Sequence, residues 1–377
     1  MNLLHCTPVQ ESHQRPRFAW PDFPVALKEA TGARVDNVLF AGLGSAGQAW
    51  FSLDTARDTG APASWRRRAD FPFAARSGAA AAAAGDMIYV FGGCGRPAPG
   101  QSLQQFDSIA CYDPGCDSWT ELPARLPVGM LGACAAAIGS SIYLFGGYDK
   151  PQFDRFFQEY EAAAEERRPG LQHAFMARSV DDFAWNDRVW EFDTVRQAWH
   201  DRGPTGHAPT CGTGIIVNGR ALTLACGEIK PGLRTPKTSQ VSIHASRLDW
   251  QAMDALPAGE QPQEGIASAF AGKCVRVKIL AGGTHFPGAR RAYESGELYA
   301  HKGLRKLWRD EIYISRRDVW ELAGHLPQGR ASGLSFEVEQ GLLLVGGDTQ
   351  DGTPCLETWL LSYNESTGIT ISSNKLI

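Results

Sequence analysis

SIYLFGG, residues 141–147, is one of four strand-like stretches in this sequence that end in a glycine pair. The others are DMIYVFGG (86–93), VKILAGG (277–283) and LLLVGG (342–347), and VLFAGLG (38–44) and LTLACGE (222–228) follow the pattern less closely. Each is a short run of aliphatic and aromatic residues that ends in small residues, which is typical of a β-strand. The sequence therefore repeats one structural unit six times, and we predict second strands beginning near residues 38, 86, 141, 221, 276 and 341.

A segment rich in Trp, Tyr or Phe follows these stretches, as in IACYDPGCDSWTELP (109–123), RVWEFDTVRQAWHDRGP (188–204) and DEIYISRRDVWELAGHLP (310–327). Such a unit cannot bury both faces of its sheet alone, but units packed radially can. The recurring Trp supplies apolar surface between neighbouring sheets, and glycine lets backbones approach closely near the centre. The period of about 50 residues resembles that of kelch repeats. We therefore predict an all-β fold, a six-bladed β-propeller of kelch type, with an irregular β-sandwich as the alternative.

Composition excludes several classes of function. The chain has 377 residues and a formal net charge of −4, so no basic excess favours nucleic acid as a partner. No stretch approaches the roughly 20 apolar residues that a membrane helix needs. The nine cysteines match no zinc or thioredoxin spacing, so we expect no metal. Because the first 18 residues contain no apolar run of signal-peptide length, and free thiols suit a reducing compartment, we expect a cytoplasmic protein.

The uneven spacing of the repeats predicts the domain organisation. We expect an N-terminal extension over residues 1–23 and one propeller over 24–377, with partly helical insertions at about 150–184 in blade 3 and 284–309 in blade 5. The first should hold a helix over 159–168 that Pro169-Gly170 ends, and the second a helix over 297–308. Both insertions follow a glycine pair, so they should lie on one face of the disc, where repeat proteins add binding loops. Purely decorative surface helices are the alternative.

The pattern breaks at CGEIKPGLRT, residues 226–235. Here Glu228 is predicted to replace the second glycine of a pair and so to lie at the mouth of the central channel. Arg234 follows on a Pro-Gly turn. A carboxylate can take or give a proton, and a guanidinium can hold an anion in a bidentate fork, so this pair is a candidate catalytic site. The alternative is a structural salt bridge across a loop.

Further arginines favour an anionic ligand. Arg76 and Arg330 each open the first strand of a blade, and first strands line the channel in many propellers. Arg290 lies in the blade 5 insertion. The alternative for each is a structural hydrogen-bonding role.

Four segments carry a resemblance to one known family, namely GLGSAGQAW (42–50), GEIKPGLRT (227–235), GARRAYESGELYAHKGL (288–304) and QGRASG (328–333). They resemble the bacterial N-acetylneuraminate epimerases, the sialic acid mutarotases built on a kelch propeller, and the resemblance runs from about residue 24 to 372. It implies an isomerase that interconverts the α and β anomers of N-acetylneuraminate by acid–base ring opening and closure, without any cofactor. It also implies that Glu228 accepts the proton and Arg234 is its partner, and that Arg76, Arg290 and Arg330 contact the anionic sugar. The general acid stays open, with Tyr293 and His301 as candidates.

The resemblance also implies a homodimer and a periplasmic location, the latter at odds with the absence of an export signal. Cys226 stands where the family pattern leads us to expect Asn. The competing class of function is a non-catalytic kelch propeller that acts as a protein-interaction or sialic-acid-binding module. A copper oxidase on a kelch fold would need a Tyr, His and Cys ligand set in the channel, and the sequence shows no such cluster.

Overall fold

The computed structural model describes residues 20–56, 63–259 and 262–374. Within these ranges the chain forms six four-stranded antiparallel sheets, each from one contiguous segment and each with its strands in chain order. The predicted six-bladed propeller is therefore confirmed. Blades 1 to 3 consist of Thr31–Val35, Val38–Gly42, Trp50–Asp54, Arg66–Arg67; Ala80–Ala84, Met87–Phe91, Ser108–Asp113, Ser118–Arg125; and Cys134–Ile138, Ser141–Phe145, Arg188–Asp193, Ala198–Pro204. Blades 4 to 6 consist of Gly214–Asn218, Ala221–Ala225, Thr238–Ile243, Leu248–Met253; Phe270–Cys274, Val277–Ala281, Glu311–Arg316, Val319–His325; and Leu334–Val338, Gly341–Val345, Thr358–Asn364, Gly368–Ser372.

The first strand of each blade lies innermost. First strands of neighbouring blades contact one another around a closed ring, with blade 6 against blade 1. Residues from all six line a cavity of about 530 Å³ at one end of the axis, where alanines such as Ala81, Ala83 and Ala135 face the opening. Small side chains at these positions leave a central channel open.

The recurring Trp packs between blades, as predicted. Trp119 of blade 2 packs edge-on against Trp50 of blade 1 at a ring-centroid distance of 5.1 Å. Trp199 of blade 3 lies 5.9 Å from Phe91 of blade 2, and the next blade interface repeats this geometry. Aromatic pairs of this kind add to the free energy gained by burying their area, so the Trp positions hold adjacent sheets together.

A segment before the first blade closes the ring. Trp20, Phe23 and Leu27 are buried in one apolar cluster with residues of blades 1 and 6. The amides of Phe23 and Leu27 donate to the carbonyls of Leu356 and Cys355, each at 2.8 Å. Since no strand is shared between blades 6 and 1, this segment supplies hydrogen bonds that tie the start of the propeller to its last blade.

Two insertions interrupt blades 3 and 5 after their glycine pairs. The first contains α1 (Lys150–Ala162) and α2 (Arg168–Met176), with 3₁₀ turns at Glu165–Arg167 and Asp181–Phe183. The second contains α3 (Ala289–Glu294) and a two-stranded ribbon of Thr284–His285 with Leu307–Trp308. Similar ribbons are formed by Cys94–Gly95 with Gln104–Gln105 in blade 2 and by Glu228–Lys230 with Leu233–Arg234 in blade 4, and a 3₁₀ turn covers Gly44–Ala46.

The predicted helix boundaries in the insertions were wrong. Pro169 does not end a helix but lies in the first turn of α2, where its missing N–H would have had no partner anyway. Residues 297–308 form turns and a short strand, because Gly296 and Gly303 adopt left-handed conformations with φ of 98° and 75°. Such conformations end helices and do not continue them.

The described ranges contain eight cysteines, and no disulfide joins any two of them. In the same ranges no helix is long and apolar enough to cross a membrane. Residues 1–18, on which the expected cytoplasmic location rests, lie outside the described part of the chain.

Candidate functional site

In blade 4 the place of the glycine pair is taken by Cys226-Gly227, and Glu228 follows it. In blade 2 the pair Gly92-Gly93 has φ of 61° and 82°, and in blade 4 the equivalent pair is Cys226-Gly227, with φ of 59° and 114°. The prediction that Glu228 replaces the second glycine was therefore wrong by one residue. Cys226 replaces the first glycine, and Glu228 follows an intact second one. The backbone dihedral angles decide which glycine is missing, because the sequence alone suggests that Cys226 is the last residue of the strand.

Equivalent positions in the blades come together at the mouth of the channel. Each forms a single antiparallel bridge with the chain just before its own first strand, and the residues concerned are Cys94, Tyr148, Glu228, Thr284 and Asp348. Three of them, Tyr148, Glu228 and Thr284, line one cavity of about 490 Å³. The repeat thus brings side chains far apart in sequence into one site.

The Glu228 carboxylate is held by three neighbours. Its Oε1 accepts a hydrogen bond from the amide of Gly232 at 2.8 Å and lies 2.9 Å from Nη1 of Arg234. Its Oε2 accepts a hydrogen bond from the hydroxyl of Tyr148 at 3.0 Å. The side chain is 15% exposed, so the carboxylate is oriented and yet open to the cavity. The tight ribbon that begins at Glu228 creates this geometry by placing Glu228 directly across from Arg234.

Gly232 is required at the turn of this ribbon. Its φ of 82° is left-handed, and a Cβ at this position would lie 1.7 Å from Nδ1 of His301. Pro231-Gly232 thus permits both the turn and the close approach of the second insertion.

The Arg234 guanidinium is buried but retains free donors. Nη2 donates to Oγ1 of Thr284 at 3.4 Å, and the group lies 5.0 Å from the ring centroid of Phe286. Nη1 is close to Glu228 but not aligned for a hydrogen bond, and neither it nor Nε has an acceptor in the described part of the chain. Buried donors without partners are costly, so an oxygen-rich anionic ligand would be stabilised here.

His301 and Tyr293, the candidate general acids, lie in different places. His301 lines the cavity, and burial lowers the pKa of its imidazole below the ordinary value, so the ring is neutral at pH 7. Tyr293 is not among the lining residues, and its hydroxyl accepts a hydrogen bond from the amide of Val180 at 3.2 Å. A neutral imidazole is a poor proton donor, and Tyr293 instead connects the two insertions.

Three predicted arginines do not line the cavity. Arg76 donates to the carbonyl of Gly92 at 3.0 Å and lies between two aromatic rings, and burial lowers its pKa to about 10. Arg330 lies 3.5 Å from the ring centroid of Trp359 and donates to the carbonyl of Glu357. Arg290 donates to the carbonyl of Arg234, so it stabilises the backbone that carries the Arg234 side chain.

Lys230 joins both insertions to the ribbon that carries Glu228 and Arg234. The residue is fully buried, and its ammonium donates to the carbonyls of Met176, Arg178 and Leu298. The first two acceptors belong to the blade 3 insertion and the third to the blade 5 insertion. Both insertions therefore lie over the face that carries Glu228, as the sequence predicted.

Among the titratable residues that line the cavity, sequence reasoning missed Glu29, Tyr148, Cys211 and Lys306. Tyr148 could have been found, because it follows the glycine pair of blade 3 as Glu228 follows that of blade 4. Burial and the nearby Glu228 carboxylate hold the pKa of its hydroxyl well above the ordinary value, so it keeps its proton. Lys306 has no such signal, since it lies at the end of an insertion outside the repeat.

No group of three or more His, Cys, Asp or Glu residues in the described ranges has the arrangement of a metal site. The titratable side chains that line this cavity are two carboxylates, a phenol, a guanidinium, an ammonium, an imidazole and a thiol, those of Glu29, Glu228, Tyr148, Arg234, Lys306, His301 and Cys211. Such a set can bind an anion and move protons on it.

Comparison with known proteins places this site in context. A family model described as N-acetylneuraminate epimerase matches residues 20–371. The N-acetylneuraminate epimerase of Brucella melitensis is 38% identical over 354 residues, which cover 92% of this chain and 90% of that protein. The one from Vibrio cholerae is 37% identical over 357 residues and covers 92% of both chains. The solved structure of YjhT matches with a TM-score of 0.88 and 30% identity, over 94% of this chain and 99% of that one.

Proposed function

Because this chain belongs to the N-acetylneuraminate epimerase family, we propose that it is a sialic acid mutarotase, an isomerase that interconverts the α and β anomers of N-acetylneuraminate. The observation that carries the proposal is the Glu228 and Arg234 pair at the mouth of the channel. Arg234 has buried donors free for a ligand oxygen, and Glu228 faces the same cavity. The alternative, a non-catalytic interaction module, is not favoured by these relatives.

The reaction needs a proton removed from the anomeric hydroxyl at C2 and a proton added to the ring oxygen. Glu228 takes the first proton, because its carboxylate is oriented by the Gly232 amide, Arg234 and Tyr148. The C2–O bond to the ring oxygen then breaks, and the open-chain ketone forms. Rotation about the bond between C2 and C3, followed by closure on the other face, gives the second anomer.

Tyr148 is the residue best placed to protonate the ring oxygen. Its hydroxyl is 3.0 Å from Glu228 Oε2, so a proton given to the substrate can be replaced by the one that Glu228 has just taken. The two residues then exchange their roles when the ring closes, and neither changes its net protonation over one turnover. Positioned acid–base groups of this kind contribute about 10²–10⁴-fold to a rate.

The direct test follows freshly released α-N-acetylneuraminate by NMR, with and without the protein. We expect the anomeric signals to reach their equilibrium ratio faster in proportion to protein concentration. A rate equal to that of the buffer would overturn the proposed activity.

Tyr148→Phe tests the proton relay. The variant keeps the ring, which packs against Trp185 at a centroid distance of 4.2 Å, but loses the hydroxyl. We expect kcat to fall about 10²-fold, with little change in KM, because the ground-state contacts of the sugar are kept. His301→Gln is the comparison, since a neutral imidazole should contribute less to proton transfer. A larger loss of kcat in His301→Gln than in Tyr148→Phe would contradict the relay.

Location, assembly and domain boundaries follow as proposals. The relatives support a small anionic sugar as the ligand, and the family resemblance suggests a homodimer. A cytoplasmic location is proposed because no disulfide joins the eight cysteines of the described ranges. The propeller is assigned to residues 24–377, with residues 1–23 as its extension.

A further inference from the structure

Lys306 is a cation of the cavity that forms no ion pair with the residues the structure describes. Among the described residues that line the cavity, the cationic side chains are those of Arg234 and Lys306. His301 also lines it, but its imidazole is neutral because burial lowers its pKa. Arg234 is paired with Glu228. The ammonium of Lys306, in contrast, lies over the ring of Trp308, 4.6 Å from its centroid, with no ion pair or hydrogen bond in the described ranges.

The burial of Lys306 favours an incoming anion. Burial lowers the pKa of its ammonium below the ordinary value, and the positive charge of Arg234 acts in the same direction. The Asp348 carboxylate exerts the largest charge effect on this pKa and raises it, and the carboxylates of Glu228 and Glu29 act in the same direction, but none of the three forms an ion pair with Lys306 in the described ranges. A partly desolvated charge without a near partner gains more from a bound carboxylate than an exposed lysine would.

The geometry of the reaction distinguishes Lys306 from Arg234 as an anchor. In a sialic acid the carboxylate and the anomeric hydroxyl are both attached to C2, and they exchange orientation when the anomer changes. A side chain that binds the carboxylate in both anomers must therefore change its position when the carboxylate does. Arg234 is fixed by Glu228, Thr284 and Phe286. Lysine carries a compact charge with three donors on a flexible stem.

We propose that Lys306 binds the substrate carboxylate in both anomers and so makes the site specific for a sugar acid over a neutral sugar. This inference rests on the proposed mutarotase function. Arg234 then pairs with Glu228 and donates hydrogen bonds to the oxygens around the anomeric centre, whereas Lys306 stays bound to the substrate carboxylate.

The experiment compares N-acetylneuraminate with its methyl ester, which is neutral at C1, as substrates of the wild type and of Lys306→Met. We expect the KM for the acid to rise about tenfold in the variant, because one charge-assisted hydrogen bond is lost, while the KM for the ester stays unchanged. Lys306→Arg should recover part of the affinity, since it keeps the charge. Lys302→Met is the matched control, because it removes the same charge from an exposed position of the same insertion.

The outcomes separate this inference from the proposed function. If the wild type leaves the anomerisation rate unchanged, the mutarotase proposal fails, and equilibrium binding of N-acetylneuraminate, followed by tryptophan fluorescence, still tests Lys306. An affinity for the acid that is equal in the wild type and Lys306→Met overturns the inference. So does an equal rise in KM for acid and ester, since that would indicate lost structure and not a lost anchor.

Discussion

Glu228→Gln is expected to lower kcat for anomerisation by about 10²–10⁴-fold while the protein stays folded. Glutamine keeps the size of the side chain and can still accept a hydrogen bond from Tyr148, but it cannot take the proton of the anomeric hydroxyl. The carboxylate is 15% exposed and faces the cavity, so its removal should change chemistry more than packing. The measurement is the NMR rate of anomerisation per folded molecule, with thermal unfolding of the same sample.

Glu294→Gln is the control for this variant. It removes a carboxylate from α3 on the same face, where the side chain is 65% exposed and 3.9 Å from Arg290. Its rate should equal that of the wild type. If Glu228 only braces the ribbon, Glu228→Gln would lower the melting temperature and leave the rate per folded molecule unchanged, and the catalytic assignment would then be wrong.

Arg234→Met should have the second largest effect, because it leaves the Glu228 carboxylate without its counter-ion. Breaking a largely buried ion pair by removing one partner typically costs about 3–5 kcal/mol. Glu228 can avoid that cost by taking up a proton, but it then no longer acts as a base. We therefore expect kcat/KM to fall at least about 10²-fold, together with a lower free energy of unfolding. Arg234→Lys keeps the charge but not the planar fork, so it should mainly weaken substrate binding.

A double-mutant cycle measures the coupling between the two residues. In Glu228→Gln/Arg234→Met no charge is left unpaired, so the double variant should be more stable than Arg234→Met alone. Its activity should be close to that of Glu228→Gln. Strictly additive losses of stability and rate, measured by chemical unfolding and by NMR, would show that the pair does not act as a unit.

The fold was predictable because its determinants are local and repeated. Glycine pairs at the ends of second strands and Trp in the outer strands are visible as residue types, and the unit recurs six times, four times with an intact glycine pair. Helix ends inside the insertions occur once each, so Pro169 could equally have ended one helix or begun the next. The missing glycine at Cys226 likewise could not be assigned to the first or second place before the backbone dihedral angles were known.

The site was predictable only where its residues are close in sequence. Glu228 and Arg234 are six residues apart on one turn, so their contact could be foreseen. Arg76 and Arg330 occupy equivalent places in the repeat, but their side chains lie over the aromatic rings of Phe106 and Trp359 and do not line the cavity. The direction of each side chain depends on a ring elsewhere in the chain, which position in the repeat does not reveal.

The segment that ties the start of the propeller to blade 6 has a consequence for biosynthesis. Each blade is made from contiguous residues, so it can form its own hydrogen bonds soon after it leaves the ribosome. Trp20, Phe23 and Leu27 emerge among the first of the described residues, yet their partners around Cys355 emerge among the last. Until then the nascent chain is an open arc with apolar surfaces uncovered at both ends. A chain released before residue 355 would keep those surfaces exposed, so translation must be almost complete before the protein is protected from aggregation.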